Sequence, residues 1–348
     1  MKNSQSTQSL AQDSAAAGHV GANNPFSALS PHTVLVTGGT GFIGTELVIL
    51  LLASGHSVAV LSRNPAKAQR QMAARVSADA MARWCAVDDL AQLDGAMSAN
   101  AQPEWRGRSI DSVINLAGAP VIGPRWSAKR QAFLIASRVG TTQALLAWAT
   151  RAQFKPSVWL QASAIGFYGV RPAAEALSET SARGQGFMAD LCVQWERAAS
   201  PVLGLGIRLV TMRLGVVLGH GGALPPLLLP FRLGLGGRMG DGQQIMSWIH
   251  LADLLAFMAQ AMGNAALQGT YNLVAPQAPS QAEFAATAGR VLRRPVWFHV
   301  PAAPIRWVGG EMAQIFVDGQ NVVPARLIAQ GHTFRFNTIE SALRDLAT

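Results

Sequence analysis

The sequence predicts an α/β protein built on a doubly wound parallel sheet, and three observations predict it. From Thr33 onward, short apolar runs of strand length alternate with stretches of helical pattern. Several of those runs are continuously apolar, as strands covered on both faces require. The first run passes directly into a glycine turn and then a helical stretch, Thr37-Gly38-Gly39-Thr40-Gly41-Phe42-Ile43-Gly44.

Residues 1–31 are rich in Ser, Gln, Ala, Gly and Asn and offer too little apolar surface to offset chain entropy, so a disordered tail is expected there. Val34-Leu35-Val36 is the first strand. A strand, a glycine turn and a helix together present backbone N–H groups and the positive end of a helix dipole to phosphate. In the Rossmann-type arrangement Gly38 permits the tight turn, Gly41 lets a pyrophosphate approach the backbone, and Gly44 lets the helix pack closely on the sheet. Thr40, Phe42 and Ile43 complete the expected cradle.

Ser57-Val58-Ala59-Val60-Leu61 is the second strand and ends in Ser62-Arg63-Asn64-Pro65. An acidic residue at that point would hold the ribose 2′-hydroxyl of NAD, and none is present. The planar fork of Arg63, with the hydroxyls of Ser62 and Thr40, suits a 2′-phosphate, so NADP (NADPH) is the expected cofactor; the alternative is a solvated surface arginine. Trp84–Val87 is the third strand, followed by Asp88, which either accepts from an adenine amino group or caps a helix.

Ser112–Leu116 is the fourth strand, and the small residues around Asn115, Ala117 and Gly118 would let a cofactor lie against the backbone. Val158–Ala162 is the fifth, followed by Ser163-Ala164-Ile165-Gly166-Phe167-Tyr168-Gly169, and Leu209–Leu214 is a further strand. Ligands of such sheets bind beyond the carboxyl ends of the strands, so these segments are expected to meet at one crevice.

Composition narrows the function classes. The 348 residues, 49% hydrophobic and 14% charged, can bury a large core. The net charge of +9 raises the question of nucleic acid, but the basic residues are scattered, without a long run or interleaved aromatic platform, so no nucleic acid partner is expected. Gly55-His56 and then Pro225, Pro226 and Pro230 interrupt the apolar stretches before they reach membrane-spanning length. Cys85 and Cys192 lie far apart and outside any metal-ligand spacing, so neither a disulfide scaffold nor a metal site is expected, and a reducing cytoplasm fits.

Thr37–Gly44, Asn115–Gly118, Ser163–Gly169 and Ser247-Trp248-Ile249-His250-Leu251-Ala252-Asp253 resemble the extended short-chain dehydrogenase/reductase superfamily. More narrowly, Arg125-Trp126, Ser137-Arg138, Phe187-Met188-Ala189 with Trp195-Glu196, Gly310-Glu311-Met312, Pro324 and Gly331-His332-Thr333-Phe334 resemble its atypical NAD(P)-dependent "epimerase family" branch, which carries a C-terminal domain of unknown function. The resemblance runs from residue 33 to the end. It implies an NAD(P)-binding domain over residues 32–290, with substrate-lobe segments around 215–250, and a small C-terminal cap lobe over 291–348.

One departure matters for mechanism. Ordinary members of the superfamily carry a Tyr-x-x-x-Lys pair on the helix after the fifth strand, and this chain has Phe187 and Leu191 at that spacing. No shift restores the pair, because the last lysine is Lys155 and the only tyrosines are Tyr168 and Tyr271.

What remains for chemistry is sparse. By the resemblance, Ser163 is the catalytic Ser/Thr, placed to hydrogen-bond a substrate carbonyl or hydroxyl. Tyr168 is either a proton-transfer phenol or a ring packed over the nicotinamide. Glu196 is either a buried acid or part of a helix-face ion pair, while His250 with Asp253 reads more readily as a cap than as a general base. Arg232 and Arg238, on a glycine-rich loop, could contact an anionic substrate or be solvated; Trp297, Trp307 and Phe316 have core-like spacing. Three readings compete: an NADP(H)-dependent oxidoreductase or epimerase of a small polar substrate, a non-catalytic NADP(H)-binding sensor or regulatory partner, and, last, a nucleic-acid binder.

Overall fold

Strands β1 (Thr33–Thr37), β2 (Ser57–Leu61), β3 (Trp84–Val87), β4 (Ser112–Asn115), β5 (Val158–Ala164) and β6 (Arg208–Leu214) are followed by the short β7 (Val216–Leu218), β8 (Gly237–Met239) and β9 (Trp248–His250), then β10 (Gly269–Leu273) and β11 (Phe298–Val300). Seven of them form one sheet in the order β10-β6-β5-β4-β1-β2-β3. The pairs β1–β2, β2–β3, β5–β6 and β6–β10 are parallel. This is the doubly wound architecture expected from the apolar runs. The computed structural model describes residues 24–97, 104–313 and 318–347, which fall into two compact units divided between Val113 and Ile114. No helix among the described residues is long and apolar enough to cross a membrane.

In the first unit, β1 and β2 are joined by helix α1 (Phe42–Ala53). Leu47, Val48, Leu51 and Leu52 recur at helical spacing and are fully buried, as are Val34, Leu35, Val36, Val58 and Ala59 of the sheet. Helices α2 (Pro65–Ala73) and α3 (Ala78–Ala82) lead to β3, and α4 (Leu90–Ala96) follows it.

The tail expected through residue 31 needs correction. Residues 1–23 lie outside the described residues, but the chain is docked from Asn24 onward. Phe26 is fully buried, with its ring edge-on to His56 at 6.4 Å, and Asn24 donates from Nδ2 to Leu50 O at 2.7 Å. His56 Nδ1 accepts from His32 N at 2.9 Å, so the ring proton sits on Nε2, which donates to Phe26 O at 3.3 Å. Burial holds His56 below the ordinary histidine range, which keeps it neutral in that role. A single aromatic anchor with a buried hydrogen-bond partner holds this segment where overall composition suggests disorder.

In the second unit, α5 (Ala128–Ile135), a π-helical turn (Ala136–Gly140) and α6 (Thr141–Arg151) precede β5, and α7 (Phe187–Ala199) precedes β6. Helices α8 (Leu224–Arg232), α9 (Leu251–Gly263), α10 (Gln281–Leu292), α11 (Ala302–Gly309), α12 (Ala325–Ala329) and α13 (Ile339–Leu346) follow. A second apolar core gathers Leu224, Leu228 and Phe231 of α8, Phe284 and Ala288 of α10, and Ile339, Leu343 and Leu346 of α13. β11 also pairs in parallel with β8. Residues beyond 290 therefore share a core and a ribbon with residues 218–288, and the expected 290/291 boundary does not separate two cores. Trp297 and Trp307, expected in the core, are 84% and 83% exposed, while Phe316 lies outside the described residues.

Candidate functional site

The glycine turn of the first unit has the geometry of a phosphate cradle. Gly38 adopts φ +70°, which favours glycine, and Gly41 N donates to Gly38 O at 2.9 Å. A Cβ on Gly44 would lie 2.7 Å from Gly39 Cα, so Gly44 lets the helix press on the turn backbone. Gly39 also approaches the sheet closely, since a Cβ there would meet Val60 of β2 at 2.9 Å. Helix α1 starts after Gly41 with no side-chain cap and no acidic residue in its first turn, whereas α2 is capped by Asn64 Oδ1 accepting from Lys67 N at 2.9 Å. Thr40 and Gly41 are exposed, with Phe42 and Ile43 half-buried behind them. Free first-turn N–H groups and an open approach fit a pyrophosphate.

At the end of β2, Arg63 is exposed and has no partner among the described residues. Ser62 Oγ beside it accepts from Asn64 N at 3.3 Å. Asp88 is also exposed and accepts from Gln92 Nε2 at 2.7 Å. The capping role weighed for Asp88 belongs to its neighbour, because Asp89 Oδ1 accepts from Ala91 N at 3.0 Å.

In the second unit, the turn after β4 is built differently from the sequence expectation. Asn115 is fully buried: its Nδ2 donates to Thr142 Oγ1 at 2.8 Å and to Gln161 Oε1 at 2.9 Å, and its Oδ1 accepts from Ala117 N at 3.3 Å. Its side chain thus faces inward and shapes the turn. Ala117 is half-buried and Gly118 is exposed. Packed against Gly118 is Arg138 of the π-helical turn, only 8% exposed.

Ser163 and Tyr168 do come together, but not at an open surface. Ser163, 1% exposed, donates from Oγ to Glu196 Oε1 at 2.6 Å. Arg213 grips the same carboxylate with two hydrogen bonds, Nε to Oε1 at 2.9 Å and Nη2 to Oε2 at 3.0 Å. Arg213 Nη1 donates to Tyr168 Oη at 3.0 Å, and that phenol donates to Asn272 Oδ1 at 2.7 Å. The Arg213 guanidinium also lies 3.4 Å from the centroid of the Phe167 ring. Burial opposes the charge of Arg213, but Glu196 and Tyr168 outweigh it and hold the group above the usual arginine range. Burial pushes the Tyr168 phenol up, so it stays neutral at pH 7.

In this arrangement both hydroxyls expected to do chemistry are engaged by protein groups. Ser163 shares a face of β5 with Trp159 and Gln161, which are fully buried, and so points into the protein. Tyr168 is fully buried with its oxygen engaged on both sides. Glu196 is neither a lone buried acid nor a solvated pair; it is the acceptor of a bidentate arginine whose side chain is 6% exposed. At the positions of the missing pair, Phe187 packs on Trp126 with ring centroids 5.2 Å apart, and Leu191 is buried.

His250 caps α9, with Nδ1 accepting from Ala252 N at 3.0 Å. Asp253 accepts from Arg335 N at 2.7 Å and Phe336 N at 3.0 Å, which ties the segment before α13 to the start of α9. Burial lowers His250 to about 4 and raises Asp253. The capping reading therefore fits His250, while Asp253 acts as a tie between two segments. Arg232 and Arg238 are exposed.

Sequence reasoning passed over the roles of Arg138 and Arg213. The signal for Arg213 was present: an arginine inside the apolar run Leu209-Val210-Thr211-Met212-Arg213-Leu214 has to find an anionic partner once the strand is buried. Arg138 left no comparable trace, because its helix reads as amphipathic and the π-helical turn that carries the side chain inward has no sequence mark.

A doubly wound parallel sheet whose first strand runs into an uncapped glycine-turn helix defines a nicotinamide-dinucleotide-binding class of protein. The chain belongs to the NAD dependent epimerase/dehydratase family, whose model matches residues 34–273, and a domain of unknown function, DUF1731, matches residues 300–346. It is 33% identical to the epimerase family protein YfhF of Bacillus subtilis (strain 168) over 313 residues, covering 90% of this chain and 97% of that protein. It is 37% identical to human epimerase family protein SDR39U1 over 317 residues, covering 90% and 99% of the two chains. The crystal structure of human SDR39U1 (isoform2) with NADPH superposes with a TM-score of 0.76 at 35% identity, again covering 90% and 99%. A nucleoside-diphosphate sugar epimerase from Corynebacterium glutamicum gives a TM-score of 0.65 at 27% identity, covering 97% of this chain and 62% of that one.

Proposed function

We propose that this chain is an NADP(H)-dependent oxidoreductase or epimerase of a small, polar, phosphate- or carboxylate-bearing molecule, working without the usual tyrosine and lysine. The observation that carries the cofactor choice is Arg63, exposed and unpaired among the described residues, after β2 where an acidic residue would select NAD. The NADPH in the human SDR39U1 structure supports the same choice. Gly38, Thr40, Gly41, Phe42, Ile43 and Gly44 would hold the pyrophosphate, Arg63 and Ser62 the 2′-phosphate, and Asp88 the adenine amino group. A bound nicotinamide supplies or accepts a hydride. The name of the Corynebacterium glutamicum relative supports a sugar nucleotide as the kind of substrate.

The Ser163–Glu196–Arg213–Tyr168 network positions the backbone after β5, including the half-buried Ala164 and Ile165, and transfers no proton itself. A second reading, an NADP(H)-binding regulator without turnover, draws on the apolar Phe187 and Leu191 and on the burial of Ser163 and Tyr168. The test is nicotinamide absorbance of the full chain with NADPH or NADP against a panel of sugar nucleotides, keto acids and sugar phosphates. Multiple turnovers with any member support the enzyme; tight NADPH binding with none in the whole panel favours the regulator.

A further inference from the structure

Arg138 is a buried cation that pairs with no carboxylate among the described residues. Its side chain is turned inward by the π-helical turn Ala136–Gly140, a local geometry that recurs at functional sites, and the residue is 8% exposed. Nη1 donates to Leu134 O at 3.2 Å and to Ser137 Oγ at 3.4 Å, and Nη2 donates to Ala119 O at 3.0 Å. All three acceptors are neutral, and among the described residues no carboxylate is paired with it. The nearby Cys192 thiol is pushed up to about 12 by burial and carries no compensating charge. Five guanidinium N–H groups less three leaves the Nε–H and one Nη2–H free. Those are the nitrogens with which Arg213 holds Glu196.

The guanidinium lies directly against Gly118, the residue through which it approaches the surface. A Cβ on Gly118 would lie 3.0 Å from Arg138 Nη2 and 3.2 Å from Nε, and Gly118 itself is exposed. The Trp195 ring centroid lies 5.1 Å from the guanidinium carbon, and Trp195 Nε1, in a residue 6% exposed, is a buried donor with no acceptor among the described residues. An unpaired buried cation and an orphan buried N–H beside one another are both costly unless something accepts from them. We propose that Arg138, with the Ala117–Pro120 turn and the Trp195 indole N–H, forms a binding site for a planar or tetrahedral oxyanion, a carboxylate or phosphate of the substrate. The inference deepens the reading of a phosphate- or carboxylate-bearing substrate but stands on second-unit geometry alone.

The test uses the full chain with its arginine Nε–H resonances observed by NMR, titrated with inorganic phosphate and separately with acetate, ionic strength being held with chloride. A saturable shift of the Arg138 signal is expected with one of the two, and which one identifies the oxyanion as phosphate or carboxylate. Arg138→Gln should weaken that binding at least tenfold and Arg138→Lys by less. Gly118→Ala keeps the cation and sets a methyl 3.0 Å from its Cζ and Nη2, so it should also weaken binding at least tenfold while the melting temperature shows the fold intact. No saturable shift with either anion, or equal affinity in wild type and Gly118→Ala, overturns the site. A tenfold loss of NADPH affinity in Gly118→Ala would also overturn the substrate assignment and give the oxyanion to the dinucleotide. NADPH binding without anion binding leaves the cofactor reading standing and removes this one.

Discussion

Arg213 and Glu196 form a two-point ion pair inside the second unit, with Nε–Oε1 at 2.9 Å and Nη2–Oε2 at 3.0 Å and side chains 6% and 16% exposed. Every other group expected to do chemistry near β5 hangs on that pair. Removing one partner of a buried pair strands the other charge and costs about 3–5 kcal/mol. Glu196→Gln and Arg213→Met should each destabilise by that order in urea melts. The double variant should lose clearly less than the sum of the two, because neither charge is left alone. Additive losses would show that the two residues act independently.

Tyr168→Phe separates support from catalysis. The phenol oxygen joins Arg213 Nη1 to Asn272 Oδ1, so its removal leaves two buried groups short of a partner and should cost about 1–3 kcal/mol. A general acid or base would lose roughly 10²–10⁴-fold in turnover instead. Turnover in the variant should stay within a few-fold of wild type once a substrate is in hand, and a loss in the larger range would restore the catalytic reading of Tyr168.

Phe26→Ala tests the docking of the N-terminal segment. The ring is fully buried against His56, so its loss should cost about 3 kcal/mol, and truncation through residue 30 should cost at least as much. Chemical denaturation of both variants is the check. An unchanged midpoint would return this segment to the tail.

His250 makes stability depend on pH. Burial lowers its folded value to about 4 from the ordinary 6.5, with Asp345 pulling upward and Arg335 and His220 downward. Its Nε2 lies 3.4 Å from Asp345 Oδ2. Between those two values the unfolded chain binds the extra proton, so stability from this group is complete above about pH 6.5 and is lost as pH falls toward 4, at up to about 1.4 kcal/mol per pH unit. Asp253, raised by burial, works in the opposite direction and is stabilising when protonated. His250→Asn keeps a capping oxygen and should flatten the acid-side slope in melts from pH 7 to 4.5; an unchanged slope would assign the effect elsewhere.

The fold was legible because burial leaves its mark on strands. Ser57–Leu61 and Trp84–Val87 begin and end in the structure where the apolar runs do, and Ser112–Leu116 overshoots by the single residue Leu116. The glycine turn was equally legible, since Gly38 takes a left-handed backbone that favours glycine and Gly44 leaves no room for a Cβ. Side-chain direction was not. Ser163, Tyr168 and Asn115 stand at the carboxyl ends of the expected strands, but which face each one takes depends on strand phase and on partners distant in sequence, Glu196, Asn272 and Gln161. Phe26 was missed for a related reason: one well-packed ring outweighs a polar composition averaged over a segment.

The cofactor claim rests most directly on Arg63. Fluorescence titration of the wild-type chain and Arg63→Ala with NADPH and NADH measures it. A charge-assisted contact worth roughly 1.5–3 kcal/mol predicts that the substitution weakens NADPH by about 10- to 100-fold and leaves NADH nearly unchanged. Equal losses for both dinucleotides, or no loss for NADPH, would contradict the account.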